Sequence, residues 1–579
     1  MKTHLPTTVH VSREGEPRSQ RSKHVSSVLC GILIFGMTFG GFAGSVLGME
    51  LYSEGPELQM DSMGRHADVA IGGNGDSIIV WENPQPGGER IAAQQFASDG
   101  SPLLLEFDFI QGWAPNKDPA VVMDANGYAT VIWMATDFAG MKTVVGQRFN
   151  TVGASQGPAF EVAPFPEDVN VLQYRPDVAM DADGNILVVW IRLGPTGSGK
   201  VYGRRYHSDG QPVGPEFLVA SNLGDGLHDV AVVTNEIGNA LVAWNVTGGP
   251  DADDIYAQRY DNTGTPLGSI FQVNTDSGSA HFHPAIAMDD SGNAVVVWDR
   301  IGDGDSSGIF GQRFDSTGSP IGPEFQVNTT ISGAQKRPAV AMDDDSNFVV
   351  TWQSGGDQDG DKSGVFAQVY DAAGTPDGPE FQVNTYTNHN QNRPSVAIGE
   401  HGRALMVWQS QAQAKKFGYG VFGQGFVVNK VPVCDLAQAQ PAYLYSNDHA
   451  FKFINIDNVS DPYGDVLTLT VDQIYQDEAV NAAGSGFTSP DGQGIGTNVA
   501  EVRDEHVISG NGRQYRIEFT AEDQWGAACS GAVYVRAISK AEVDGDWIIY
   551  DSTETPPLGG ELLNPSPAST ERPMAKVAP

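Results

Sequence analysis

The chain is expected to be all-β: a seven-bladed β-propeller closed by an N-terminal strand, followed by a small β-sandwich. Three features carry that expectation. Trp81, Trp133, Trp190, Trp244, Trp298, Trp352 and Trp408 each end an apolar run and recur at spacings of 52, 57, 54, 54, 54 and 56 residues, the mark of a repeat array. Between them the chain shows period-two alternation and frequent Gly turns in place of helical periodicity. Finally, the phrase that closes a repeat, "GPEFQVNT" from Gly322 and again from Gly378, appears as "GPELQ" from Gly55, before the first repeat has begun.

Each repeat has four extended pieces. The first, such as "RPDVAMD" from Arg175 or "RPAVAMD" from Arg337, ends in an Asp-Gly or Ser-Gly turn like "DADGN" at Asp181 to Asn185, which is hairpin chemistry. The second, such as "NILVVW" ending at Trp190 or "NAVVVW" ending at Trp298, is apolar on both faces and must be covered on both sides. The third is "IFGQRF" from Ile309, echoed from Val144, Ile255 and Val421. The fourth, "PEFQVNT", places Phe325 and Val327 on one face and Glu324, Gln326 and Asn328 on the other, the alternation of a half-exposed strand. Radial stacking of four-stranded blades covers the second strand twice, as a flat sheet would not.

The last repeat runs through "ALMVW" and "YGVFGQGF" but continues as "VVNKVPVC", without its fourth strand. The stretch Gly55 to Met60 supplies it from the other end of the chain, closing the ring and protecting the edges of its first and last blades.

The totals limit function. The 579 residues carry a formal net charge of -37 spread along the chain, which repels polyanions and argues against nucleic acid. Basic residues Arg13, Arg18, Arg21 and Lys23 precede an apolar run from Val25 to Met49. The pattern reads as an export signal or an uncleaved membrane anchor, the only membrane contact expected, and places the remainder secreted or at the cell surface. Domain boundaries follow at 1–49 for that segment, 50–431 for the propeller, 432–541 for the sandwich and 542–579 for a Pro-, Ser- and Thr-rich flexible tail. A monomer is expected.

After Cys434 the repeat gives way to "AFKFINI" from Ala450, "VLTLTVDQIY" from Val466, "YRIEFTAED" from Tyr515 and "GAVYVRAIS" from Gly531, alternating strands of a small antiparallel sandwich. Cys434 and Cys529 flank this domain; in an oxidising compartment they read as a disulfide, and two ligands are too few for structural zinc. With "QDEAVN" from Gln476, "SPDG" from Ser489 and "GNGRQYRIEFTAEDQWGAAC" from Gly510, the domain resembles immunoglobulin-like modules, related to hyalin-type repeats, of bacterial secreted proteins. The resemblance implies an adhesive or spacer module. The propeller repeats likewise resemble those of bacterial surface proteins, without assigned chemistry.

Candidate functional residues sit in the loops at the propeller mouth. His66, Arg175, His283, Arg337 and Arg393 precede the first strands at corresponding positions, and Asp118 and Leu227 interrupt the set. Such side chains either bind a carboxylate or sulfate on a sugar or peptide, or bond neighbouring carbonyls and hold blades in register. The loops after Trp offer Asp303 and Asp305, then Asp357, Asp359 and Asp361; alternating carboxylates in a Gly-rich loop suit calcium, or are simply solvated. His281 and His283 share one face of an extended chain but lack a third metal ligand. The recurring Gln147, Gln258, Gln312, Gln368 and Gln424 suggest a structural bond between blades. No H-E-x-x-H motif is present.

The function expected from these residues is non-catalytic binding of an extracellular glycan or protein through the propeller face. The runners-up are a hydrolase or lyase acting on polysaccharide, and a structural envelope component.

Overall fold

The computed structural model describes residues 49–551 apart from short loop segments, the longest of them 478–489 and 539–549, and the side chains of 49–55. The apolar segment preceding Met49, the C-terminal tail, Asp303, Asp305 and Leu227 lie outside the described residues.

Every described regular element is a strand. Four-stranded sheets follow one another along the chain, with strands in sequence order, as in Arg65–Ile71, Ser77–Gln85, Gly88–Phe96 and Phe107–Phe109, or Gln335–Met342, Phe348–Ser354, Gly364–Tyr370 and Pro376–Gln382. This is a propeller-like architecture. In Ala294–Ile301 the first six residues are all buried, because sheets cover both faces, whereas the outer strand Pro320–Gln326 is half exposed. The seven repeat tryptophans are 0–2% exposed, at the centre of the clusters between neighbouring sheets.

Within the repeat array one sheet departs from sequence order. Its outermost strand is Met49–Asp61, followed by Tyr419–Lys430, Arg403–Gln411 and Gln391–Ile398. The N-terminal strand pairs antiparallel with Tyr419–Lys430, placing Leu58 opposite Gly423. The displaced phrase therefore lies where the repeat pattern requires it. Its glutamate also behaves as its copies do: Glu324 accepts from Thr275 N–H at 2.9 Å, Glu380 from Thr329 N–H at 2.7 Å and Glu57 from Thr385 N–H at 2.9 Å. Each bond ties an outer strand to the preceding sheet.

Aromatic pairs join the sheets. Phe107–Phe149, Phe160–Tyr206, Phe217–Tyr260, Phe271–Phe314, Phe325–Tyr370 and Phe381–Phe426 have ring centroids 5.2–5.8 Å apart, in the tilted geometry that ring quadrupoles favour. The recurring glutamine, in contrast, works within its own sheet. Gln147 donates to Arg148 O and Gly157 O, and Gln312 to Arg313 O and Gly322 O, tying the third strand to the turn before the fourth. The expected bond between blades is thus corrected, since the carbonyls within reach belong to the same repeat.

The C-terminal domain has a four-stranded sheet, built on Phe451–Asp457 and Ala500–Arg503, and a five-stranded sheet, built on Thr468–Gln476, Arg513–Glu522 and Ala528–Ala537. Ile454, Ile456 and Val502 from the first share a core with Ile474, Ile517, Phe519 and Val535 from the second. Strict alternation in Arg513–Glu522 makes this possible, because every second residue is buried. The fully buried Arg513 ion-pairs with Asp491 at 2.9 Å and Glu505 at 2.8 Å. Cys434 and Cys529 form a disulfide across 95 residues.

Candidate active site

The first strands carry a shared irregularity. His66, Asp118, Arg175, His283, Arg337 and Arg393 all have φ between 47° and 54°, left-handed values unusual for residues with a Cβ. Each sits in a register shift of its strand, as between Arg65 and Asp68, or Lys336 and Ala339. A bulge of this kind re-aims a side chain, and such strain concentrates at functional sites. The fourth repeat supplies Asp229 instead of Leu227: the pairing of Ala231 with Ala243, beside Trp244, aligns Asp229 with Arg175.

These side chains meet in one cavity of about 330 Å³ at the end of the first strands. Below it lies an apolar stretch walled by residues such as Val121, Val178 and Val340. The far end of the strands is acidic, with Asp124, Asp181, Glu236 and Asp290. The structure therefore brings together all five sequence-selected cationic residues and adds Asp68, Asp118, Asp177 and Asp229 to them.

The residues immediately after two of the tryptophans organise the site. Glu82, 1% exposed, accepts from His66 Nδ1 at 2.8 Å and from Asp118 N–H at 3.0 Å. Asp299, 2% exposed, accepts from His283 Nδ1 at 2.6 Å and from Arg337 N–H at 3.1 Å. Each carboxylate thus orients a histidine of its own sheet and holds the bulge of the next. Gln409 Oε1 accepts from His66 N–H at 3.2 Å across the closing sheet. At His66, Asp118 and Arg337 the contact to the neighbouring sheet runs through the backbone N–H, while Arg175 reaches Asp229 of the next sheet through its side chain.

Electrostatics sets these groups apart. Burial works to raise the pKa of Glu82, but the hydrogen bond and charge of His66 outweigh it and the net shift is downward. Asp118 is raised by burial and then by the charge of Glu82. Burial raises Asp68, despite bonds from Ser395 and Val121, and pushes Asp177 up to about 7, despite bonds from Val232 and Val178. Arg175 pairs with Asp229. Arg393 is pulled down to about 10 by burial and by Arg337 and Arg175, and Arg337 is lowered in the same sense, burial leading. Among the described residues neither the Arg337 nor the Arg393 guanidinium lies within 4.0 Å of a carboxylate oxygen, although the charges of Asp229 and Asp299 act on the first and those of Asp118 and Glu82 on the second.

Several further candidates are placed elsewhere. His281 is fully buried and bonds Asp253 O at 2.7 Å, so it does not face the cavity with His283. Asp357 accepts from Lys362 N–H at 2.7 Å, Asp359 from Asp361 N–H at 3.4 Å and Asp361 from His389 N–H at 2.8 Å, bonds that shape their loop. Among the described residues, ligand-type side chains cluster at His66, Glu82 and Asp118, with ligand atoms within 4.8 Å of one another, and at Asp461, Asp465 and Asp523.

Glu82, Asp299, Asp68 and Asp177 were not singled out from sequence. A signal existed in the polar residue after Trp81 and Trp298 and the acid two places beyond His66 and Arg175. It is irregular between repeats, and that irregularity hid it.

No protein-family model matches the chain, and no curated protein matches it in sequence. Solved structures of similar fold include a protein of unknown function from Dyadobacter fermentans, 12% identical over 66% of this chain and 98% of that one, TM-score 0.39. They include a polysaccharide lyase, 9% identical over 65% and 100%, TM-score 0.43. An α-L-arabinofuranosidase from Fusarium graminearum is 13% identical over 55% and 98%, TM-score 0.39. At such identities the likeness concerns folding alone.

The expectation of a non-catalytic binding protein is corrected. Several solved structures of similar fold are enzymes by name. The cavity itself brings a carboxyl group, pushed up to about 7 by burial, together with carboxylate-oriented histidines.

Proposed function

We propose that the protein is an exported enzyme that cleaves an acidic polysaccharide within this cavity, on a seven-bladed ring closed by its N-terminal strand. The C-terminal immunoglobulin-like sandwich acts as a spacer. One observation carries the reading: Arg393, lowered in basicity by burial and then by the charges of Arg337 and Arg175, shares a cavity with Arg337, Asp177 and the Glu82-oriented His66. Two such guanidiniums favour an anionic ligand. The disulfide fits an extracytoplasmic location.

A uronate residue suits this arrangement. The guanidiniums neutralise its carboxylate and acidify the adjacent C–H. His66, whose Nδ1–H is engaged by Glu82, takes that proton at Nε2. The electron pair forms a C=C bond as the glycosidic C–O bond breaks, and protonated Asp177 gives its proton to the departing oxygen. This is β-elimination, a lyase reaction. Burial pushes the Asp177 pKa up to about 7, so a large share of the carboxyl groups carries a proton near neutral pH, as acid catalysis requires. Hydrolysis is the second reading, favoured by the cluster of Asp68, Asp118 and Asp177, one serving as acid and another activating water.

Incubation with uronate-containing polysaccharides tests both. Ultraviolet absorbance from unsaturated uronate ends is expected for the lyase. New reducing ends without that absorbance would establish hydrolysis instead. Absence of both from a broad panel of acidic and neutral polysaccharides would overturn the enzymatic reading.

A further inference from the structure

The six aromatic pairs between sheets share a register. Each outer-strand phenylalanine stands opposite a Gly or Ala of the third strand, as in Gly146 with Phe160, Gly203 with Phe217 and Ala367 with Phe381. At the remaining contact, made by the N-terminal strand, the equivalent residue is Leu58, opposite Gly423, and the ring expected to receive a phenylalanine is Phe96. A Cβ placed on Gly146 or Gly203 would strike the neighbouring phenylalanine at 2.5 or 2.8 Å, whereas one on Gly423 would first meet Met60 Cε at 3.1 Å. The space a phenyl ring fills elsewhere lacks one here.

A cleft of about 450 Å³ occupies this place, walled by Leu58, Met60, Ile79, Phe96 and Leu405. Leu58 is 41% exposed, so the cleft is open to solvent, while Phe96 is 7% exposed and forms its floor. Arg403 and Asp99 lie at its rim, where bonds from Ser101 and, to a lesser degree, the charge of Arg403 lower the Asp99 pKa. Its size and largely apolar walls suit a small organic ligand.

We propose that this cleft is a binding site for a small neutral aromatic molecule carrying a single phenyl ring. The occupant's chemistry is given by the other six contacts, where the same backbone register encloses a phenylalanine ring against Phe or Tyr at 5.2–5.8 Å. The ring enters beside Leu58, packs tilted on Phe96 as Phe325 packs on Tyr370, and leaves its polar substituent at the rim. This site is separate from the cavity of His66 and Arg393 and does not depend on the activity proposed there.

The test uses the full-length protein with benzyl alcohol and, as a saturated control of similar size, cyclohexylmethanol. Saturation-transfer NMR titration is expected to show benzyl alcohol binding at least about tenfold more tightly than the control. Leu58→Phe supplies the missing ring from the chain itself; it is expected to abolish benzyl alcohol binding and raise the thermal midpoint. Leu58→Ala is expected to retain binding. No binding of benzyl alcohol, equal binding of cyclohexylmethanol, unchanged binding in Leu58→Phe, or a lowered midpoint in that variant would each overturn the assignment.

Discussion

Glu57 accepts hydrogen bonds from the backbone N–H and the Oγ1 hydroxyl of Thr385, at 2.9 and 2.7 Å, across 328 residues of sequence. The same bond is made by Glu324 to Thr275, 49 residues apart. A contact that is local within the repeats becomes, at the N-terminus, the link between the two ends of the array. Removing residues 50–61 from the full-length protein strips the outermost strand from Tyr419–Lys430 and exposes an unpaired edge. The expected outcome is a propeller that melts well below the intact protein and aggregates at lower temperature, read by calorimetry and light scattering. Glu57→Ala alone should cost about 1 kcal/mol in denaturant unfolding, given a charge-assisted but solvent-accessible pair of bonds.

Arg393 has its pKa pulled down to about 10 by burial and then by the charges of Arg337 and Arg175, which line the same cavity. Cation crowding of this sort opposes folding while it awaits an anion. Arg393→Met, of similar length and without charge, is expected to raise the thermal midpoint while raising KM for an acidic polysaccharide about tenfold or more. A lowered midpoint with unchanged KM would show that the guanidinium serves packing and not the substrate.

Asp177 links pH to both stability and rate. Its pKa is near 3.8 when unfolded and about 7 when folded, so between these values the unfolded chain has released a proton that the native state retains. Native stability from this group is therefore complete below about pH 4 and is lost as pH rises toward 7, by up to about 4 kcal/mol. Asp177→Asn keeps an acceptor for Val232 N–H but has no proton to lose. It should flatten this part of the stability profile, measured by urea titration at several pH values, and lower kcat about 100-fold or more as the acid is removed.

Glu82→Gln leaves a hydrogen-bonding group beside His66 but deletes the charge that stabilises the imidazolium. The imidazole loses its charged orienting partner, and kcat/KM should fall about 10- to 100-fold while the circular-dichroism spectrum and thermal midpoint show the fold retained.

The disulfide closes a loop across 95 residues in the C-terminal domain. On the chain-entropy estimate its removal costs about 4–5 kcal/mol. Cys434→Ser with Cys529→Ser should lower the unfolding transition of that domain while leaving the transition of the repeat array in place, resolvable by calorimetry.

The repeat, the strands and the place of "GPELQ" were legible because each depends on local pattern. Trp298 closes an apolar run whose neighbours all require cover, and a missing fourth strand at Phe426 has only one copy elsewhere in the chain to replace it. The candidate site was half legible. His66, Arg175, His283, Arg337 and Arg393 stand in register and meet in one cavity, but nothing local to Asp177 indicates a proton held near neutral pH. That property comes from burial and from the charge of Asp68, more than one hundred positions away in the chain, against the opposing bond from Val232 N–H.

Sequence alone therefore determined the all-β repeats, the pairing of the two chain ends and the positions from which side chains reach the mouth, because alternation and spacing act residue by residue. Tertiary structure decided which carboxylates join them, that Glu82 and Asp299 orient histidines while Asp68 and Asp177 keep raised pKa values, and that Leu58 leaves a cleft where six phenylalanines leave none. Desolvation, Coulomb interactions and packing depend on distances between residues far apart in the chain, and those distances exist only once the sheets have assembled.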